Sequence, residues 1–313
     1  MKTTPLTPAD LRGSVISVPP MPRHPDGRLN VQANEQLLSH LRAGRVTTFM
    51  YGGNANFYNL GVGELGRTLD ALTPLLSDGD WLIPSVGADF GKAADQISLL
   101  RERAFPTAMV LPLRFPANPA GVASGLGKLA NRYGKPIIAY VKDEGYINNN
   151  DLAALVKDGA VCAVKYAIVR DDPKQDAVLA DLVLRVDPSV LISGIGERPV
   201  IDHFRTFGLR AFTSGSTCVA PALSDRIREA LHAGDDATAA ATRELFLPLE
   251  DARDAHSPIR ILHAAVELAG IAPTGPIGEF LSVIEDQGIL DKLKPIAIDL
   301  LARNNAIANR RQQ

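Results

Sequence analysis

Eight short apolar runs recur along the chain at a nearly even spacing. They are Ser14-Val15-Ile16-Ser17-Val18, Val46-Thr47-Thr48-Phe49-Met50-Tyr51, Trp81-Leu82-Ile83-Pro84-Ser85-Val86, Ala108-Met109-Val110-Leu111, Ile137-Ile138-Ala139-Tyr140, Val161-Cys162-Ala163-Val164-Lys165, Val190-Leu191-Ile192-Ser193 and Ala211-Phe212-Thr213-Ser214. The runs are continuous and not alternating, as strands covered on both faces of a parallel sheet read. The intervals carry helical periodicity. Val31 to Arg42 repeats apolar residues at three and four and is stopped by Gly44. Leu65 to Leu76 places Leu65, Leu69, Leu72, Leu75 and Leu76 on one face. Leu152 to Val156 and Val200 to Phe207 are shorter examples. Eight strand-then-helix units predict an α/β fold, a (β/α)8 TIM barrel. An open doubly wound sheet is the alternative, but no G-x-G-x-x-G follows the first strand.

After Pro221 the strand runs stop and helical patterns take over. Ala222 to Ala233 and Ala237 to Leu247 come first, the second stopped by Pro248. Ser257-Pro258 pairs an N-cap with a first-turn proline and opens Ile259 to Ala269. Ile277 to Glu285 and Leu290 to Arg303 complete the set. This stretch is too long to be only an eighth barrel helix, so the expected organisation is a catalytic barrel over 1–225 and a C-terminal helical domain over 226–313.

Composition narrows the function. The 313 residues are 46% apolar and 22% charged, ordinary for a globular chain and too apolar for a disordered one. A formal charge of −2 gives no general attraction for nucleic acid or anionic lipid, so neither is an expected partner. The longest apolar runs fall far short of the ~18 residues of a membrane span. Met1 to Leu11 has no apolar leader core, and the two cysteines form no C-x-x-C pair, so a reducing cytoplasm is expected. None of the six histidines stands at a strand end and no H-x-x-x-H pair occurs, so no metal site is expected.

In a barrel of this kind the chemistry lies at the C-terminal ends of the strands. Lys165 is the one lysine attached directly to a buried-strand pattern; Lys142, two residues past the fifth strand, comes nearest. An amine at an apolar barrel mouth loses hydration, which favours its neutral, nucleophilic form. The plainer alternative is a strand-end lysine reaching for water. Tyr140 ends the fifth strand as Lys165 ends the sixth, so the two should be neighbours, and a phenol there can move protons. A tyrosine packing its ring with its hydroxyl wet is the commoner arrangement. After the second strand, Gly52-Gly53-Asn54 can turn tightly and offer N–H groups to an anion, or can be a simple turn.

The glycine loop after strand two, the tyrosine ending strand five and the lysine ending strand six 25 residues later together resemble the dihydrodipicolinate synthase / N-acetylneuraminate lyase family. Asp26-Gly27, Leu60, Glu64, Ile192-Ser193-Gly194, Thr213 to Pro221 and Gly275-Pro276 extend the resemblance over nearly the whole chain. It implies a barrel with C-terminal helices, assembled as a homo-tetramer or dimer. It implies Lys165 as the Schiff-base lysine and Tyr140 as the proton-transfer tyrosine. Gly52, Gly53 and Asn54 would hold the carboxylate of a 2-oxo acid, with Gly194 and Thr213 also at the substrate. The reaction would need no cofactor beyond the imine on Lys165.

The chain departs from the family at two places. The loop that usually reads G-[TS]-T-G-E is Gly52-Gly53-Asn54-Ala55-Asn56, without hydroxyls. Arg114 stands where the synthases carry a relay tyrosine; it stays protonated, and either binds a second carboxylate or is a surface arginine in a loop. Phe57-Tyr58-Asn59-Leu60 and Tyr140-Val141-Lys142-Asp143-Glu144 resemble the 5-dehydro-4-deoxyglucarate dehydratase branch. The expected activity is therefore a Schiff-base lyase or dehydratase acting on a pyruvate-type or 2-keto-3-deoxy sugar acid. A non-catalytic acid-binding protein on the same scaffold and a true dihydrodipicolinate synthase are the alternatives.

Overall fold

In the computed structural model, which describes residues 1–312, the eight runs become eight parallel strands: β1 (Ile16–Ser17), β2 (Thr48–Tyr51), β3 (Trp81–Val86), β4 (Met109–Val110), β5 (Ile137–Val141), β6 (Val161–Tyr166), β7 (Leu191–Ser193) and β8 (Ala211–Ser214). Each pairs with the next and β8 pairs with β1, so the sheet closes into a TIM barrel. The strands are buried almost without interruption because helices cover their outer faces and side chains fill the interior.

The covering helices follow the strands in turn: Val31–Ala43, Val62–Leu72, Phe90–Arg101, Pro119–Tyr133, Asn149–Lys157, Ala177–Val183, Val200–Phe207 and Pro221–Ala233. Leu65, Leu69 and Leu72 form the buried face of the second, as their spacing requires. Val200–Phe207 has the bounds read from its periodicity, with Val200, Phe204 and Phe207 buried.

Beyond β8 and its helix come Asp236–Arg243, Leu247–Ala255, Pro258–Leu268 and Gln287–Gln312. The last residue of the expected helical region, Gln313, lies outside the described residues. The helix expected over 237–247 ends at Arg243, and Pro248 does not stop it: it sits in the first turn of the next helix, Leu247–Ala255, where its missing N–H costs nothing. The helix expected over 277–285 does not form, and the chain there is irregular. Its carbonyls go to side chains instead. Glu279 accepts from Asn56 and Asn59 across the β2 loop, and Ser282 and Val283 accept from Arg260. Gly275-Pro276 and Gly278 break the helical pattern in sequence as well.

Among the described residues no helix is long and apolar enough to cross a membrane.

Candidate active site

Whether Tyr140 and Lys165 meet depends on one extra residue. At the start of the β5–β6 pairing Ile137 stands opposite Val161, but Ile138 stands opposite Ala163. Cys162 is the residue bulged out, and its Sγ turns to Thr107 Oγ1 and the Ile137 carbonyl. Past the bulge Tyr140 pairs with Lys165. Without it Tyr140 would face Val164, and the lysine would point to the other side of the sheet.

The amine of Lys165 lies over the Tyr140 ring, 4.5 Å from its centroid. Lys165 is 5% exposed and, among the described residues, has no hydrogen bond or ion pair. Burial brings its ammonium down to about pKa 7, and the nearby charge of Lys142 adds to the effect. A large part of the amine is therefore neutral near pH 7. Burial raises the Tyr140 phenol to about 12, with the Asp143 carboxylate adding to the rise, so Tyr140 carries its proton.

Gly194, two residues beyond Ile192, supports this pair by having no side chain. A Cβ there would stand 2.7 Å from the Tyr166 carbonyl, 2.8 Å from Ala167 Cβ and 3.0 Å from Lys165 Cγ. The β7 end thus packs directly on the stem of the lysine. Thr213 is buried on β8, two residues past Ala211, which the register links through Ile192 to Lys165.

Across the barrel, the β2 loop enters a short 3-10 turn over Gly53–Ala55 whose first N–H groups have no intrahelical acceptor. Gly52 faces inward, where a Cβ would lie 2.8 Å from Ser85 Oγ. Ser85 is buried and its hydroxyl has no partner. Asn54 is already engaged: its Nδ2 donates to the Val18 carbonyl at 2.8 Å. It fastens the β2 loop to the end of β1, leaving one amide hydrogen and its backbone N–H for a ligand.

Arg114 lies apart from the lysine. Its side chain is 75% exposed, and its guanidinium forks onto the Asp143 carboxylate, Nε to Oδ2 at 2.8 Å. That pair holds Asp143 below the ordinary carboxylate range. The Arg114 charge is thus matched on the rim.

Two groups of site residues escaped the sequence reading. One is Tyr58, on the 3-10 turn Phe57–Asn59. Its ring lies against Gly53, 3.8 Å from where a Cβ would stand, and burial raises its phenol. The other is the set of unpartnered hydroxyls of Ser85, and of Ser216 and Thr217 beyond β8. Ser85 was open to detection: within an apolar strand it occupies the inward register beside Met109. Among the described residues no group of three or more His, Cys, Asp and Glu side chains is placed to hold a metal ion.

Comparison with known proteins returns the same resemblance. No protein-family model matches the chain. A probable 5-dehydro-4-deoxyglucarate dehydratase of Rhizobium meliloti (strain 1021) is 24% identical over 258 residues, 80% of this chain and 84% of the relative. Among solved structures, a dihydrodipicolinate synthase from Oceanobacillus iheyensis superposes with a TM-score of 0.80 at 19% identity, covering 94% of this chain and 97% of that one. An N-acetylneuraminate lyase from Mycoplasma synoviae gives a TM-score of 0.77 at 15% identity, covering 94% and 99%. The structural neighbours are thus of the dihydrodipicolinate synthase / N-acetylneuraminate lyase family, and the curated relative is a dehydratase of the same family.

Proposed function

We propose that the chain is a class I lyase or dehydratase that forms a Schiff base between Lys165 and a small 2-oxo acid. The observation that carries this reading is the state of Lys165: a buried amine without a hydrogen bond or ion pair, neutral in large part near pH 7, over a protonated tyrosine at a barrel mouth. A structural buried lysine has an ion-pair or hydrogen-bond partner, and this one has none.

The substrate carboxylate is assigned to the backbone N–H groups of Gly53 and Asn54, the free amide hydrogen of Asn54 and the hydroxyl of Ser85 beside Gly52. These replace the threonine hydroxyls that the loop lacks. Neutral Lys165 adds to the C2 ketone as the carbonyl oxygen takes a proton from Tyr140. The added nitrogen gives up a proton to the tyrosinate. A second transfer from Tyr140 lets the oxygen leave as water, and the iminium remains. The iminium draws electrons from C3. For cleavage the Tyr140 tyrosinate takes the C4 hydroxyl proton as the C3–C4 bond breaks, giving an aldehyde and an enamine that is reprotonated at C3 by Tyr140. For dehydration it takes the C3 proton and returns it to the C4 hydroxyl, which leaves the enamine as water. In both, water hydrolyses the remaining iminium, its proton returning to Tyr140, and frees Lys165. Gly194 and Thr213 border the substrate, and Arg114 takes a second acid group once Asp143 yields it. No cofactor is required, and the partner is the small acid itself. A homo-dimer or tetramer acting in the cytoplasm completes the proposal.

The dehydratase direction has the support of the curated relative, whose name describes that reaction. Dihydrodipicolinate synthesis is disfavoured because Arg114, a group that keeps its proton, stands in place of a relay tyrosine. A purely binding homologue has no use for an unpaired buried lysine, which burdens the fold. The test is turnover of a panel of pyruvate-releasing and 3-deoxy-2-oxo sugar acids, followed as aldehyde, pyruvate or dehydrated product. The expected result is one good substrate whose turnover disappears in Lys165→Ala. Binding of an acid, seen as thermal stabilisation, without turnover of any panel member would favour the binding homologue.

A further inference from the structure

The helix Pro258–Leu268 presents two different faces. One, with Ile261, Leu262, Ala265 and Val266, is buried in the fold. The other, with Arg260, His263, Ala264, Glu267 and Leu268, follows the helical spacing of three and four and floors a cavity of about 380 Å³. The roof is the irregular chain after the helix, which contributes Pro276, Val283 and Ile284. The lining is mainly apolar, and the volume is that of a small-molecule site. None of the residues assigned to the Lys165 mouth takes part in it.

Two opposite charges stand in this lining, and each uses only part of its head. Arg260 donates from Nε to the Ser282 carbonyl and from Nη2 to the Val283 carbonyl, both at 2.7 Å. Its Nη1 has no partner among the described residues. Glu267 accepts on Oε2 alone, from the Thr274 hydroxyl at 2.7 Å and from the N–H groups of Thr274 at 3.0 Å and Gly275 at 3.4 Å. Burial opposes its charge, but these bonds hold the carboxyl below the ordinary range, so Glu267 is an anion with Oε1 bare. His263, between the two, donates Nε2–H to the Gly275 carbonyl at 2.7 Å, and burial lowers its ring, so it is neutral. The lining thus offers one cation, one anion and no net charge. A simple acid would satisfy Arg260 and leave its own charge facing Glu267. The helix sets the stems of Arg260 and Glu267 about 10 Å apart along its axis. An α-amino acid head, with a charge-assisted bond of about 2.8 Å at each end, covers that span.

We propose that this cavity is a binding site for a small amino acid with an aliphatic side chain, separate from the Lys165 mouth. Its carboxylate lies on Arg260, its ammonium on Glu267 and its side chain against Ala264, Leu268 and Ile284. The same roof ends on the β2 loop, where the Glu279 carbonyl accepts from Asn56 and Asn59. From the other face of the helix, Leu262 reaches the same loop. A Cβ on Gly215 would stand 2.3 Å from Leu262 Cδ1 and 2.6 Å from Asn54 Nδ2. An occupant held between helix and roof therefore steadies the loop that carries Gly53 and Asn54. This consequence rests on the Schiff-base reading above; the binding site itself does not.

The experiment uses the full-length protein with L-leucine as probe. The expected result is saturable binding in calorimetry and a raised Tm, with pyruvate unable to displace the leucine. Isocaproate, which lacks the ammonium, and isoamylamine, which lacks the carboxylate, should each bind about tenfold more weakly or worse, as loss of a charged hydrogen-bonding partner requires. Glu267→Gln keeps the shape of the rim and should weaken leucine by a similar factor. Ala264→Leu fills the cavity with both charges in place. It should abolish leucine binding while the Tm without leucine stays near the wild-type value. In borohydride trapping, saturating leucine should lower the half-saturating pyruvate concentration about fivefold in the wild type and leave it unchanged in Ala264→Leu. No leucine binding at millimolar concentration overturns the site. So does binding that survives Ala264→Leu, is equalled by isocaproate or is displaced by pyruvate. Leucine binding with pyruvate saturation unchanged overturns the link to the β2 loop. Absence of any pyruvate adduct overturns the Schiff-base reading alone, because leucine binding is measured without it.

Discussion

Two buried ionisable clusters flank the upper barrel, and they are opposites. Lys165 is buried with nothing to bond to. Glu197 and Glu250, between the end of β7 and the helix Leu247–Ala255, are buried more completely and are bonded on nearly every side. Glu250 accepts from the backbone N–H groups of Glu197 at 3.0 Å and Arg198 at 2.9 Å, and from Arg253 at 3.4 Å. Glu197 accepts from Ser224 at 2.6 Å. Its other oxygen has no partner, and burial beside a second carboxyl raises Glu197 to about 8. Arg253 continues the stitching to the Ile195 carbonyl. Displaced pKa values therefore occur in both places, and displacement alone does not mark chemistry. A group whose neighbours satisfy it is joining two parts of the fold. A group left unsatisfied at an open mouth is waiting for a ligand.

Substitutions can break this contrast. The largest effect is expected from Lys165→Ala, which should lower turnover roughly 10³-fold or more, as removal of a covalent nucleophile does. It should leave the circular dichroism spectrum unchanged. Glu250→Ala should do the reverse. It takes the buried carboxylate from Arg253, which keeps only the half-exposed Asp254, and strips the acceptor from two backbone N–H groups. The expected loss is about 3–5 kcal/mol in urea unfolding, with pyruvate trapping retained in the folded protein. Loss of trapping from a folded Glu250→Ala protein would place the pair in the chemistry and end the contrast.

Gly194→Ala tests the border between the two clusters. The added methyl meets the Tyr166 carbonyl and the stem of Lys165, so about 1–3 kcal/mol of destabilisation is expected together with slower trapping. Destabilisation without a kinetic change would show that the lysine does not depend on this contact.

The smallest effect is in the pH dependence of stability, and the two clusters pull it in opposite directions. In the folded protein Glu197 keeps its proton to about pH 8, whereas in the unfolded chain it loses it near the ordinary carboxyl value. Its contribution is therefore present at low pH and is lost as pH rises toward 8. Lys165 is lowered to about 7, so the unfolded chain holds the extra proton above that pH. Its burial cost is full below pH 7 and fades as pH rises toward the ordinary lysine value. Glu197→Gln should flatten the acid-to-neutral part of a Tm-versus-pH curve. Lys165→Met should raise Tm most below pH 7. Parallel curves for wild type and both variants would contradict the assignment of these shifts.

Much of this was legible in the sequence. All eight strands lie where continuous apolar runs place them, because strands covered on both faces need no polar alternation. The pairing of Tyr140 with Lys165 was legible only through their strand ends. What aligns them is the bulge at Cys162, which leaves no mark in hydrophobicity. The irregular chain over 277–285 was misread as helix because its apolar spacing is helical, while its carbonyls are claimed by Asn56, Asn59 and Arg260 from distant parts of the chain. Tyr58 and the acid pair Glu197–Glu250 were invisible for the same reason: their surroundings are assembled from segments far apart in sequence.

The proposed chemistry rests on the amine of Lys165. Borohydride reduction in the presence of pyruvate, followed by peptide mass mapping across pH 6 to 9, tests it directly. The expected result is one adduct, on the peptide containing Lys165, with a trapping rate that rises through about pH 7 as the amine loses its proton. An adduct on Lys142 or another exposed lysine, a rate that rises only toward the ordinary lysine pKa, or no adduct at all would contradict it.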